Sequence, residues 1–257
     1  MMTFNGLHKN SYPLILCNVW DVNSAKIAEK LGFQAIGTSS AAIASMLGYD
    51  DGEKIQFEEL CYVIQKIAGN TFLPLSVDME AGYGRTSAEI VNNIKKLATY
   101  GIAGINLEDS IVNAERILVD GKRFANILYE VKNKLNEADL NIFLNIRTDT
   151  YVLNVPNKLD ETRKRIELYT KAGADGIFIP CLSHEADIKF LVDESQLPIN
   201  IMAMPDLPNF EKLKELGVKR ISMGDCLFSN ISAILKHKLS KVMDNQSFDD
   251  IFSDSKC

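Results

Sequence analysis

Short apolar runs alternate with longer amphipathic stretches along this chain, and the alternation sets its expected architecture. The apolar runs fall at residues 14–16, 35–37, 73–77, 104–107, 142–146, 176–179, 200–203 and 220–223. Near-continuous apolar character, without polar alternation, is the pattern of strands buried on both faces of a parallel sheet. Between them, residues 24–31, 87–100, 159–172 and 209–216 carry apolar side chains at three- and four-residue spacing, which predicts helices with one buried face. Eight such strand–helix units predict an α/β fold, a (β/α)8 TIM-type barrel.

A degenerate repeat supports the count, because Gly32, Gly101, Gly173 and Gly217 each stand between a helical pattern and an apolar run. A helix commonly ends in a left-handed residue, a conformation that suits glycine. An open doubly wound sheet would want a glycine-rich turn after its first strand, where Asn18-Val19-Trp20-Asp21 stands instead. The 257-residue length fits a one-domain barrel. Residues 1–243 are read as that barrel and 244–257 as a short polar C-terminal tail.

Charge and composition narrow the chemistry. A net charge of −6, with no Lys/Arg-rich run, excludes a nucleic-acid surface. No apolar stretch is long enough to span a bilayer and the first residues lack a leader pattern, so a cytoplasmic protein with no membrane partner is expected. Five widely spaced cysteines form no Cys-x-x-Cys pair, and two of the three histidines lie near the chain ends. Zinc sites and histidine-centred triads therefore have little material, and carboxylate and metal chemistry is favoured.

In such a barrel the C-terminal strand ends face the active site. Here they read Asn18, Trp20 and Asp21, then Thr38-Ser39-Ser40, Asp78-Met79-Glu80, Glu108-Asp109, and Arg147 with Asp149. Asp78 and Glu80 share a side if the strand continues that far, with Met79 turned away. Together with Glu108 they form an acidic cluster that a cation would have to hold together. An oxygen-only donor set points to Mg2+, or Mn2+ in its place. The blander reading has these acids capping helices or pairing with Arg85 and lysines. Asp21 is expected to cap the following helix. Arg147 ends an apolar strand with a planar fork suited to a carboxylate, of the substrate or of a neighbouring acid. The Ser39-Ser40-Ala41 backbone offers N–H groups to an oxyanion.

The segments Asn18-Val19-Trp20-Asp21, Thr38-Ser39-Ser40-Ala41, Gly48-Tyr49-Asp50-Asp51, Asp78-Met79-Glu80-Ala81-Gly82-Tyr83-Gly84, Leu107-Glu108-Asp109 and Asn145-Ile146-Arg147-Thr148-Asp149 run in an order that resembles the isocitrate lyase/phosphoenolpyruvate mutase superfamily. The resemblance implies a Mg2+-dependent carbon–carbon lyase working through a metal-bound enolate on a small α-keto or hydroxy dicarboxylic acid, by C–C cleavage or oxaloacetate-type decarboxylation. It implies metal ligation by Asp78, Glu80 and Glu108, with Asp51 beside them, directly or through water. It also implies substrate binding by Trp20, Ser39, Ser40, Ala41 and Arg147, with Arg147, Asp51 and Glu108 as the catalytic groups. A homotetramer or homodimer is implied too, although the segment from Asp225 onward reads as short for exchanging terminal helices.

Residues 110–123 depart from the family pattern. They carry neither the Lys-Lys-Cys-Gly-His loop of the lyases nor the lysine of the mutase branch. Glu115, Arg116, Lys122 and Arg123 read as a solvated loop or a lid, and Cys181 as a buried hydrophobe or a proton donor. The alternatives are a phosphonate P–C mutase or hydrolase, and a keto-acid-binding protein with little catalysis.

Overall fold

The computed structural model describes residues 3–252; Met1, Met2 and the end of the expected tail, 253–257 with Cys257, lie outside the described residues. The strands are β1 (Leu14–Val19), β2 (Ile36–Thr38), β3 (Leu75–Asp78), β4 (Gly104–Glu108), β5 (Ser110–Val112), β6 (Arg116–Leu118), β7 (Phe143–Arg147), β8 (Gly176–Ile179), β9 (Ile199–Met202) and β10 (Arg220–Ser222). Eight of them close a parallel barrel in the order β1-β10-β9-β8-β7-β4-β3-β2, while β5 and β6 form a separate antiparallel hairpin. All eight expected runs supply a barrel strand, so the fold is the (β/α)8 barrel.

The outer layer comprises α2 (Val22–Lys30), α3 (Ser40–Leu47), α4 (Phe57–Ala68), α5 (Ser87–Ala98), α6 (Gly121–Glu137), α7 (Lys158–Lys171), α8 (Glu185–Glu194) and α9 (Phe210–Glu215). Asp21 caps α2 in a capping box with Ser24, as its spacing predicts. The four repeat glycines take φ between +79° and +95°, the left-handed geometry expected where each helix turns into the next strand.

Side chains on the strands sort into two environments. Val77, Ile105, Ile146, Ile177 and Ile201 join Ile64, Ile94, Leu128 and Leu191 of the helices in one apolar shell between barrel and outer layer. Inside the barrel the filling changes with height. The short N-terminal helix α1 (Phe4–Leu7) closes the bottom, packing Phe4 and Leu7 against Leu14, Leu16 and Phe143. His8 stacks on Phe143 at 4.2 Å, its Nδ1 donating to the Phe4 carbonyl. Burial, reinforced by Arg220, pushes the pKa of His8 down to about 3.

Above that plug the interior is polar. Asn145 donates to the side-chain carbonyls of Asn106 (2.8 Å) and Asn200 (3.1 Å), Asn200 donates to Ser222 (3.1 Å), and Arg220 reaches across to Asn106 (3.3 Å). Every one of these side chains is buried. The third interior level is the mouth, where the strand ends carry the acids.

After β10 the chain continues into α10 (Cys226–Asn245) and α11 (Asp249–Phe252). The expected tail boundary at 243 thus falls inside a 20-residue helix. None of that helix is buried, and it exposes Leu227, Ile231, Ile234, Leu235, Leu239 and Met243. No helix among the described residues is long and apolar enough to cross a membrane.

Candidate functional site

Asp78 ends β3, where the barrel opens. Its backbone N–H donates to Thr38 Oγ1 (2.9 Å), and its Oδ2 accepts from both the N–H (3.2 Å) and the hydroxyl (2.8 Å) of Ser40. Those donors fix the carboxylate with Oδ1 buried and without a hydrogen-bond partner. Ser40 therefore serves Asp78, and Ser39 caps α3 by accepting from the Ala42 N–H. Both serines and Ala41 line a cavity of about 270 Å³ at the mouth, with Asp51, Asp78 and Arg147.

Glu80 does not continue the strand. Its φ of +49° turns the backbone left-handed immediately after β3, so the alternation that would set it beside Asp78 is broken. Its carboxyl does not line the cavity and accepts from the Glu53 N–H (2.6 Å) and the Tyr83 hydroxyl (3.1 Å). Burial pushes its pKa up to about 8, with repulsion from Asp51, Asp78 and Glu108 adding to the rise.

Glu108 ends β4 opposite Arg147 in the β4–β7 register, and Arg147 Nη1 pairs with its Oε2 at 3.1 Å. Arg147 also forks onto Asp149, with Nε to Oδ1 at 2.6 Å and Nη2 to Oδ2 at 3.2 Å. Against the penalty of burial, that fork and Ser110 hold the Asp149 carboxyl below its ordinary range. Arg147 is thus paired with neighbouring acids, one of the two kinds of partner its fork suits. Behind them Asp109, fully buried, accepts from Arg165 (2.9 Å) and Tyr169 (2.7 Å) and takes the Asp149 N–H (2.9 Å), which fixes the β7 end.

The second guanidinium comes from the hairpin. Arg116 on β6 points into the acids, its Nη1 bonding Glu108 Oε1, Asp149 Oδ2 (3.0 Å) and Ser110 Oγ (2.9 Å), its Nη2 reaching Asp51 (3.1 Å). Only 16% of its side chain is exposed, which makes it a lid residue rather than part of a solvated loop. The hairpin is docked as well as paired. Gly52 (φ +101°) sits so close to Val112 that an added Cβ would lie 2.8 Å from it.

The mouth thus gathers Asp51, Asp78, Glu80, Glu108 and Asp149 around Arg116 and Arg147. Among the described residues no three His, Cys, Asp or Glu side chains already form a ligand cage, and Arg116 pairs with Asp51, Glu108 and Asp149. The donor set still suits a hard cation: Asp78 keeps a free oxygen, and the acids outnumber the guanidiniums. Trp20 does not line the cavity, its ring standing edge-on to Phe228 at 5.2 Å, and neither Glu80 nor Glu108 lines it. Of the two readings of Arg116, solvated loop or lid, the contacts with the acids favour the lid. The apolar positions flanking Asn113-Ala114-Glu115 were the available signal for a hairpin that folds back over the mouth.

The comparisons with known proteins agree with this architecture. The family profile of phosphoenolpyruvate phosphomutase matches residues 4–243. An uncharacterized Mycobacterium tuberculosis protein, Rv1998c, is 33% identical over 249 residues, covering 95% of this chain and 90% of its own length. An oxaloacetate decarboxylase from Bradyrhizobium diazoefficiens is 28% identical over 74% of this chain and 66% of its own, and the 2-methylisocitrate lyase of Escherichia coli is 26% identical over 73% and 64%. Among solved structures, a Burkholderia cenocepacia protein provisionally assigned as a phosphonomutase superposes with a TM-score of 0.87 at 33% identity, covering 92% of this chain and 97% of its own. Barrel, strand-end motifs and these matches together make the chain a member of the phosphoenolpyruvate phosphomutase family, within the superfamily of phosphoenolpyruvate mutases and isocitrate lyases.

Proposed function

We propose that the chain is a divalent-metal-dependent lyase acting on a small α-keto or α-hydroxy dicarboxylate, by C–C cleavage or by decarboxylation of an oxaloacetate-like acid. The observation that carries this reading is Asp78, fixed by Ser40 beside the cavity with one carboxylate oxygen unpaired, next to Arg147. Asp78 would hold the cation, with Glu80, Glu108 and Asp51 contributing through water or after small side-chain shifts; Mg2+ fits the oxygen donors, and Mn2+ in its place. Once bound, the cation supplies a Lewis acid for negative charge gathering on the substrate's 2-oxo oxygen.

The chain's own groups do the rest. Arg147 orients a substrate carboxylate, and the Ser39–Ala41 backbone borders the oxygen that becomes negative. In a decarboxylation the C3–C4 bond breaks, its electron pair moves toward the 2-oxo group, CO2 leaves, and a proton returns to C3. Cys181 lines the cavity and burial pushes its thiol pKa up, so it holds a proton at neutral pH. The β5–β6 hairpin, latched by Arg116 to Asp51 and Glu108, keeps water off the carbanion. The exposed apolar face of α10 supports a homo-oligomer in which a second copy covers it.

Incubation with Mg2+ and oxaloacetate, following CO2 release and deuterium incorporation at the pyruvate methyl group, tests the reading, with Asp78→Ala as the dead control. Absence of turnover across a panel of keto and hydroxy dicarboxylates would sink it. The similarity to the protein assigned as a phosphonomutase favours a second reading, P–C bond chemistry, which phosphonopyruvate turnover would promote.

A further inference from the structure

The two halves of the cavity differ in character. Around β1 to β4 and the hairpin, its wall is polar and charged. Around the ends of β8 and β9 and the loop after β7, it is built from Val152, Phe178, Pro180 and Met202. We propose that this half is a subsite for an apolar substituent, so that the substrate is an α-keto or hydroxy acid branched with an alkyl group at C3; the proposal rests on the lyase reading above for its reaction and on the cavity alone for its specificity.

Three observations carry it. Among the residues lining the cavity, the cation nearest this side is Arg147, 6.0 Å from the Phe178 ring, and its guanidinium is turned to Asp149 and Glu108, toward the polar half where the substrate carboxylate is held. The charged residue that does line this rim is Asp225, an anion, which repels a further carboxylate. A substituent reaching here therefore loses hydration without gaining a partner if it is charged, and gains burial if it is a hydrocarbon. The wall is also preformed. Phe178 is buried, and Met202 is packed so tightly on Gly224 that a Cβ at that position would stand 2.5 Å from its sulfur. With about 270 Å³ available, just under the ~300 Å³ at which pockets for drug-sized ligands begin, the cavity takes a small acid plus a short side group.

A methylene placed in an apolar pocket is worth about 10-fold or more in kcat/KM. The full-length protein with Mg2+ is therefore assayed on oxaloacetate and on its 3-methyl and 3-ethyl derivatives. In parallel, calorimetry compares the corresponding 2-oxo acids: pyruvate, 2-oxobutyrate and 2-oxopentanoate. Both kcat/KM and affinity are expected to rise by about 10-fold per added carbon, about 100-fold from the unsubstituted acid to the ethyl-bearing one. Met202→Gln, close in volume but polar, is expected to collapse both ratios toward one, and Val152→Asn to lower them. Turnover without an alkyl preference overturns the subsite and leaves the lyase reading standing. An affinity series that climbs without turnover upholds the subsite and overturns the lyase reading. Affinity that is flat or falls with chain length, or no binding of any of these acids, overturns the proposal.

Discussion

Replacing Arg116 with glutamine removes the charge that the hairpin places among the acids. Its guanidinium is 16% exposed, and its partners Glu108 and Asp149 are 2% and 0% exposed, so these pairs escape most of the screening that reduces surface salt bridges to roughly 0–1 kcal/mol. Deleting one partner of a buried pair costs about 3–5 kcal/mol when the other is left as a bare ion. That full figure does not apply, because Arg147 stays bonded to both acids, and Asp51, 44% exposed, contributes little. The expected loss is that of a charge-assisted hydrogen bond, about 2 kcal/mol. For a chain of this size it lowers Tm by roughly 4–8 °C when magnesium is chelated. The same substitution removes a positive charge that competes with a bound cation. Mn2+ titration followed by electron paramagnetic resonance is expected to give about 10-fold tighter binding in the variant, equivalent to ~1.4 kcal/mol. A variant with unchanged Tm and unchanged Mn2+ affinity would refute the view that the hairpin neutralises the acids.

Other parts of the molecule give independent tests. His8, with a folded pKa near 3 against an ordinary 6.5, stays neutral while the unfolded chain takes up its proton below pH 6.5. Its contribution to stability is therefore lost as pH falls from 6.5 toward 3, at about 1.4 kcal/mol per pH unit, and His8→Phe should flatten that part of the urea-unfolding profile. Gly52→Ala forces a side chain into a left-handed position facing Val112; the expected cost is about 1–3 kcal/mol, with faster limited proteolysis in the Asn113–Glu115 turn as the readout. Arg165→Met strands the fully buried Asp109 and should cost about 3–5 kcal/mol in chemical denaturation. Combining it with Asp109→Leu is expected to recover part of that loss, and a fully additive double mutant would count against the pairing.

The barrel was legible because its strands are buried, mostly apolar runs separated by helix patterns that end at glycine. The mouth was legible in composition but less so in geometry. Asp78 and Arg147 keep the strand alternation and stand where their spacing put them, whereas Glu80 does not, because β3 stops at Asp78 and the backbone then turns left-handed. Nothing in a single sequence marks that turn, since Glu80 carries no glycine-like signature. The hairpin escaped notice for a different reason. Its strands are three residues each, too short for periodicity to speak, and Arg116 acquires its role only from acids 8, 33 and 65 residues away in the chain. The C-terminal helix was underestimated although Leu227, Ile231, Ile234, Leu235 and Leu239 repeat at helical spacing; its polar closing residues drew the reading toward a tail.

The amides and the guanidinium inside the barrel bear on which alternative states the chain avoids. A strand with hydrocarbon on both faces has no intrinsic preference for which face looks inward, so a slip by one residue would go almost unpunished by hydrophobicity alone. Asn106, Asn145, Asn200 and Arg220 remove that degeneracy. In the native pairing they bond one another across β4, β7, β9 and β10, with Nε and Nη1 of Arg220 left unpartnered, and a slipped strand would turn an amide or a cation into the apolar shell under the helices. Polar matter at the centre of the molecule thus works as a spacing code: it makes misaligned barrels expensive, and so leaves the strand ends above it in the one alignment that brings the acids together.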